Sequence, residues 1–492
     1  MAQNTSLEKP ILHVEILQRR RSVMAKDVLM HEVDTILKNM GKTYVDSHIK
    51  EFPNSGLQEH ILHIKICEVQ DNADVKEVEL CNVMPRYYVY QLECDGPGIE
   101  ELNEGEEEIP AATYWILPAA EFDNYWENLV FDTNIKEELL NYIRTTLLFS
   151  DRKICESIIS WNKVVLLHGP PGTGKTTLSK ALAQKLSIRL EPRYKYAQLV
   201  EINSHSLFSK WFSESGKLVQ KMFTKITEMV EDPQSLVLVL IDEVESLTCS
   251  RASCSNGTEP SDAVRVVNAV LTQLDQLKKY PNCLILTTSN ITGTIDLAFV
   301  DRADIKQYLG LPSKGAIYQI YHSCIIELER TGIIVDSERL FTLKELTLIK
   351  MAESKVTQPS LLLMKIAEQS QGLSGRTLRK IPFLAHALYI HAPRVSLYDF
   401  LFAMEKAVQK QLKDREKISQ PSPQLLPYSN LIPTPHPQFR THPPPMPLSP
   451  NNHRPPLPSR TVHPFPIPTP ISFYSPPPPI PNLTPPPAIS PN

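Results

Sequence analysis

The chain has 492 residues, with 51 Lys and Arg, 55 Asp and Glu, 43 Pro and only 16 Gly; 27 of the prolines fall in the last 72 positions, from Pro421 on. That tail has no glycine and no acidic residue and carries Arg440, Arg454 and Arg460, which leaves residues 1–420 at a net charge of −7. Such a balance argues against a nucleic-acid grip, and a body long enough for about two to four domains excludes a collagen-like, wholly disordered or disulfide-scaffold chain.

Between Met1 and Met30 the apolar residues are broken up by Glu8, Lys9, Glu15 and Arg19-Arg20-Arg21, so the segment lacks a signal-peptide core. The longest aliphatic run, Leu236 to Ile241, has six residues, too few to span a membrane. Cys67, Cys81, Cys94, Cys155, Cys249, Cys254, Cys283 and Cys324 show no C-x-x-C spacing and read as reduced, mostly packing residues. Stretches such as Ile61 to Cys67 and Tyr87 to Leu92 alternate apolar with polar residues, which predicts a small α+β domain over 1–99. Residues 100–110 hold six Glu from Glu100 to Glu108, with Gly105 among them, and read as a solvated acidic linker. From Tyr114 to Ser150 helical spacing returns through Leu139, Leu140, Ile143, Leu147 and Leu148.

Aliphatic runs at Val164 to Leu167, Leu199 to Ile202, Leu236 to Ile241 and Leu284 to Leu286 are separated by segments long enough for helices. That spacing predicts a parallel sheet in a large α/β domain over 111–311. After Pro312 the pattern is helical without strands, through Ile317 to Leu328, Leu361 to Ile366, Arg376 to Ile390 and a charged helix from Leu397 to about Lys417. This predicts a separate helical domain over 312–418. Residues 419–492 form a proline-rich tail, expected to be disordered with polyproline II character.

The first strand runs into Gly169-Pro170-Pro171-Gly172-Thr173-Gly174-Lys175-Thr176, with a helix-forming segment from Thr177 behind it. Glycines in this spacing let the backbone wrap a phosphate at a helix N-terminus; Lys175 would reach the β- and γ-phosphates and Thr176 would bind Mg²⁺. The strand Leu236 to Ile241 ends in Asp242-Glu243. In register with the phosphate loop, the first carboxylate can hold the Mg²⁺ shell and the second can activate water; alone, such a pair is commonly a loop. At the end of the next strand Asn290 either orients the attacking water or merely forms a turn. Arg302, in Asp301-Arg302-Ala303-Asp304, is either an arginine finger for a neighbouring subunit or a local salt bridge.

Phosphate loop, Asp242-Glu243, Asn290 and Arg302, followed by a helical lid, resemble an AAA+ ATPase. A G protein fits poorly, because the tetrad Asn162-Lys163-Val164-Val165 precedes the loop and lacks the required Asp. Tyr114 to Glu121, Ser204 to Lys217, Gly257 to Asp262 and Gly372 to Lys380 narrow the likeness to the pachytene checkpoint ATPase (thyroid receptor interactor protein) family, over roughly residues 11 to 417.

That resemblance implies a homo-hexameric ring that uses ATP and Mg²⁺ to unfold part of HORMA-domain proteins, converting closed to open conformers. It implies roles in the spindle checkpoint and in meiotic synapsis, recombination and pachytene control, in the nucleus and on chromosomes and also in the cytoplasm. The N-terminal domain would engage substrate and a HORMA adaptor; neither direct nucleic-acid binding nor a membrane is implied. Lys210-Trp211-Phe212 match the first pore loop, whose aromatic residue grips the threaded chain, and Ser213 stands where broader AAA proteins have glycine. Thr248 to Ser261 falls where a second pore loop belongs, though composition fits a surface loop nearly as well. Arg376 stands where many AAA relatives have a small residue and reads as a sensor within its own subunit rather than a surface arginine, since a γ-phosphate would offset its charge at a helix N-terminus. The tail is an addition to the family pattern, either without function or a source of P-x-x-P ligands. The rival classes are an AAA+ clamp loader or helicase and an ATP-switched interaction scaffold.

Overall fold

The two alternating stretches in the first hundred residues become strands of one four-stranded sheet, on either side of a third. The computed structural model describes residues 9–52, 55–70, 77–104, 107–155, 157–203, 215–246, 261–290, 297–335 and 338–419. It divides the chain into two units, Met1–Ser422 and Pro423–Asn492, and the second, with the proline-rich tail, lies outside the described residues. The N-terminal strands are β1 (Ile11–Gln18), the short β2 (Lys42–Tyr44) and β3 (Ser47–Ile49), β4 (Ile61–Val69), β5 (Glu77–Glu79) and β6 (Met84–Tyr90). They form one sheet in the order β3-β4-β1-β6 and a separate β2-β5 pair. Helix Lys26–Met40 buries Leu29, Val33 and Leu37 against Leu12, Val14, Ile16 and Ile64.

The large domain is a sheet of seven strands, β7 (Gly98–Glu104), β8 (Glu107–Leu117), β9 (Val164–His168), β10 (Tyr196–Asn203), β11 (Ser235–Asp242), β12 (Cys283–Ser289) and β13 (Ile305–Tyr308). Their order is β13-β9-β12-β11-β10-β8-β7; the first five run parallel, β8 pairs antiparallel with β10, and β7 pairs antiparallel with β8. The central strand shows why a six-residue aliphatic run was needed. Val237, Val239 and Ile241 pack toward helices Ser215–Glu231 and Ser261–Leu277, while Leu236, Leu238 and Leu240 pack toward Lys175–Arg189 and Ile135–Asp151. Buried on both faces, each of these side chains contributes about 1.5–3 kcal/mol.

Three expectations need correction. Residues 100–110 are not a linker: they lie mostly in β7 and β8, which pair antiparallel from Gly98↔Tyr114 to Glu104↔Glu107. Charge predicted solvation, but only backbone groups need pairing in an edge strand, and β7 is the sheet edge. Tyr114 to Leu117 belongs to β8 rather than to a helix, and the helix begins at Ile135. The lid is not free of strands, because β14 (Ile334–Val335) pairs in parallel with β15 (Val395–Ser396). The cysteine reading holds only in part: Cys67 and Cys283 are buried, whereas Cys81, Cys94 and Cys155 are exposed. Among the described residues no helix is long and apolar enough to cross a membrane.

The lid otherwise follows the helical pattern, with Lys314–Arg330, Gln358–Gln369, Ile381–Tyr389 and Leu397–Ser419 closing on a core that includes the fully buried Tyr318 and Tyr321. Ser313 caps the first of these helices by accepting from Ala316 N–H. The N-terminal domain meets the large domain on helix Lys175–Arg189, the one that follows the phosphate loop. There Glu15 of β1 takes Lys185 Nζ at 2.8 Å and Arg189 Nε at 2.7 Å, and Arg189 also reaches Glu68 at 3.0 Å.

Candidate nucleotide and hydrolysis site

The parallel strands deliver their C-terminal ends to one edge of the sheet, where open α/β sheets bind ligands. β9 stops at His168, and the chain turns through Gly169 at φ 144°, Gly172 at 77° and Gly174 at 95°, conformations that side chains rarely tolerate. A Cβ on Gly169 would stand 2.2 Å from the Leu309 carbonyl oxygen, so the loop also needs glycine for space. Gly169→Ala is therefore expected to cost about 1–3 kcal/mol in strain and to weaken nucleotide binding, read by thermal unfolding with and without ATP. Unchanged unfolding and affinity would show that the close approach is not required.

A loop of this shape, opening helix Lys175–Arg189, presents backbone amides and the helix dipole to an anion. Lys175 is 4% exposed and donates to the carbonyls of Gly169 (2.9 Å) and Pro170 (2.8 Å), while Thr173 Oγ1 donates to Pro170 at 3.0 Å. Burial lowers the Lys175 pKa, opposed by the carboxylates of Glu245, Asp242 and Glu243 and assisted by Arg376. Pro171 lies beside Pro170 at the lid-side cleft, and Thr176 and Thr177 form the first turn of the helix.

The ends of β11 and β12 supply the acidic side. Thr176 Oγ1 donates to Asp242 Oδ1 at 2.8 Å, and Thr288 Oγ1 donates to the same oxygen. A hydroxyl and a carboxylate so close are hard oxygen donors suited to Mg²⁺. Glu243 has φ 57°; its N–H donates to Thr288 Oγ1 at 3.2 Å, and its Oε1 accepts Asn290 Nδ2 at 3.1 Å. A carboxylate and an amide thus meet beside the phosphate loop, an arrangement that can hold and deprotonate water.

Two further segments close over the loop. Arg376 lies in the four-residue helix Gly375–Leu378, and its N–H donates to the Gly172 carbonyl at 3.1 Å. Opposite, Leu129 and Phe131 belong to the large-domain core and Val130 to the lid core, with a Leu129 methyl 3.1 Å from where a Cβ on Gly174 would stand. Asp132 accepts from the Ser313 N–H at 2.9 Å, tying this strap to the lid.

Residues 7–95 match the family described as TRIP13 N-terminal domain, 165–311 the ATPase family associated with various cellular activities (AAA), and 313–412 the TRIP13-like AAA+ ATPase lid C-terminal domain. The chain is 54% identical to the pachytene checkpoint protein 2 homolog of Rattus norvegicus and 53% to that of Homo sapiens. Each alignment covers 413 residues, 84% of this chain and 96% of the relative. The fold is similar to the solved structure of C. elegans PCH-2, with TM-score 0.67 and 36% identity over 83% of this chain and 100% of that one. The chain belongs to the pachytene checkpoint protein 2 family.

As a member of this family it is an AAA ATPase with a helical lid and an N-terminal domain. Of the residues predicted from sequence, the phosphate loop, Asp242, Glu243, Asn290 and Arg376 gather in one place. Arg302 does not join them: its guanidinium forks onto Asp275 at 3.0 and 2.8 Å and donates to the Ala298 carbonyl at 2.7 Å. The flanking Asp304 is not its partner, since it accepts from the N–H groups of Asn162 and Lys163 and from the Tyr142 hydroxyl. Lys210, Trp211 and Phe212, with residues 248–260 of the second pore-loop stretch, lie outside the described residues. The strap Leu129 to Phe131 and the pair Thr288 and Glu245 also border this site, at positions that no sequence motif marks. The strap's one signal was an apolar triplet followed by Asp132-Thr133-Asn134 at a helix start.

Proposed function

We propose that this chain works as a ring of six copies that uses ATP to unfold part of HORMA-domain proteins, converting closed, partner-bound conformers to open ones. The supporting observation is that its family likeness runs through the N-terminal domain and the lid as well as the ATPase core. In this reading residues 1–99 engage substrate and a HORMA adaptor, 111–311 and 312–418 form the motor, and 419–492 are dispensable. Its setting is the spindle checkpoint and meiotic chromosome synapsis, recombination and pachytene control, in the nucleus and cytoplasm.

ATP is held by Gly169 to Thr177, with Lys175 on its β- and γ-phosphates. Thr176 and Asp242 hold Mg²⁺, which supplies charge neutralisation at the phosphate oxygens. Asn290 orients water, Glu243 takes its proton, and Arg376 reads the γ-phosphate in its own subunit while Arg302 serves a neighbour's.

The test measures ATP turnover with three additions. Stimulation by a HORMA substrate together with its adaptor supports the reading; stimulation by DNA alone would favour a nucleic-acid motor, and none a switched scaffold. Trp211→Ala is expected to keep most basal turnover and to lose substrate conversion for want of grip. Undiminished conversion would remove Trp211 from the pore.

A further inference from the structure

We propose that Glu245 is a positioning residue for hydrolysis: it fixes the main chain of Asn290, and through it the amide that meets Glu243. The inference rests on reading Glu243 and Asn290 as the pair that handles water. Beyond the strand ladder, which stops at Ile241↔Thr287, hydrogen bonds keep the chains of β11 and β12 joined, the Thr288 hydroxyl on Asp242 among them. Glu243 N–H donates to Thr288 Oγ1 at 3.2 Å, and Val244 N–H to Thr288 O at 2.9 Å. Asn290 then gives its side-chain amide to Glu243 Oε1 at 3.1 Å and its main-chain N–H to Glu245 Oε1 at 3.0 Å.

One asparagine is therefore held by two carboxylates of one short segment, by a different group to each. The main-chain contact sets where the residue stands, and the side-chain contact follows from it. Glu245 is 8% exposed, and its Oε1 is the oxygen that accepts the Asn290 N–H. Its carboxylate, with those of Asp242 and Glu243, also opposes the effect of burial on Lys175. Thr288 does the matching work for the acidic pair, touching both Asp242 and the Glu243 backbone.

A misplacement of about 1 Å at a reacting group costs on the order of 10²-fold in rate. Glu245→Ala in the full chain is thus expected to lower kcat about 10- to 100-fold while ATP affinity stays within about 3-fold. Glu245→Gln keeps an oxygen to accept the Asn290 N–H and is expected to recover kcat to within about 3-fold of the parent. Because the effect passes through Asn290, adding Glu245→Ala to Asn290→Ala should cost little more than Asn290→Ala alone.

Parental kcat in Glu245→Ala, equal losses in the Ala and Gln variants, full additivity with Asn290→Ala, or affinity falling in step with kcat would each overturn the proposal. If the alanine variant does not fold, Glu245→Asp carries the same prediction, since it keeps the charge but draws the oxygen back by one methylene. Glu243→Gln assayed alongside separates the two levels. Normal turnover in that variant sinks the water-handling reading, whereas its loss beside a normal Glu245→Ala sinks only the role of Glu245.

Discussion

Glu243→Gln is expected to bind ATP with near-parental affinity and to lose turnover by about 10²- to 10⁴-fold, the span removed with a general base. The phosphate loop, Lys175 and the Thr176–Asp242 pair are untouched by the change, so the groups assigned to phosphate and Mg²⁺ remain. The amide oxygen can still accept from Asn290 Nδ2, so the local geometry survives while the proton acceptor does not. Single-turnover hydrolysis and nucleotide affinity measured on the same sample decide it, and near-normal turnover would strip Glu243 of its role. The variant also tests Arg302. Mixed with Arg302→Ala subunits, Glu243→Gln subunits should restore some hydrolysis, because they lend an intact Arg302 to a neighbour's complete site. No rescue in proven mixed rings would leave Arg302 as the local partner of Asp275 that the side-chain geometry describes.

Which parts of this architecture are legible in sequence follows from the range of the forces involved. A strand buried on both faces must be aliphatic throughout, so β11 and its neighbours announced themselves, and a phosphate loop needs its glycines at fixed positions. β13, Ile-Lys-Gln-Tyr at the sheet edge, alternates half-buried with exposed residues and carries no comparable signal. The acidic hairpin was hidden because composition reports side chains while strand pairing is made by the backbone. Arg302 was read against Asp301 and Asp304, its neighbours in the chain, yet its partner Asp275 sits 27 positions earlier, a distance only the fold bridges. Glu245 is hidden for a related reason: two residues past an acidic pair, an additional acid looks like a solvated residue until β12 is placed beside it.

The second large effect is expected far from the phosphates. Glu15→Ala should destabilise the docking of the N-terminal domain by about 3–5 kcal/mol, the usual cost of leaving a buried charge without its partner. Glu15 is 1% exposed and Lys185 3%, and the carboxylate serves both Lys185 and Arg189. Arg189 would keep Glu68 at 3.0 Å, but Lys185 would be left with Glu127 at 3.9 Å and the Cys67 sulfur at 3.6 Å. Burial pushes the Cys67 thiol up to about 12, so it offers no compensating charge near neutral pH. Burial also opposes ionisation of Glu15, but Lys185 and Arg189 together outweigh it and hold its carboxyl far below the usual range. A depressed folded pKa means that the contribution is complete above the unfolded value of about 4.3 and disappears as pH falls through the folded one. The gap between parent and variant should therefore be flat from about pH 6 to 8 and close only in strong acid. Hydrogen exchange is the suitable measurement, because a chain of several domains has no single unfolding free energy. Protection is expected to fall in β1, β4 and the end of helix Lys175–Arg189, whose 15 residues span about 22 Å from the phosphate loop to this cluster. Unchanged exchange at all three would mean that the apolar contacts of Leu17, Tyr88, Tyr90 and Ile188 hold the domain in place without the ions.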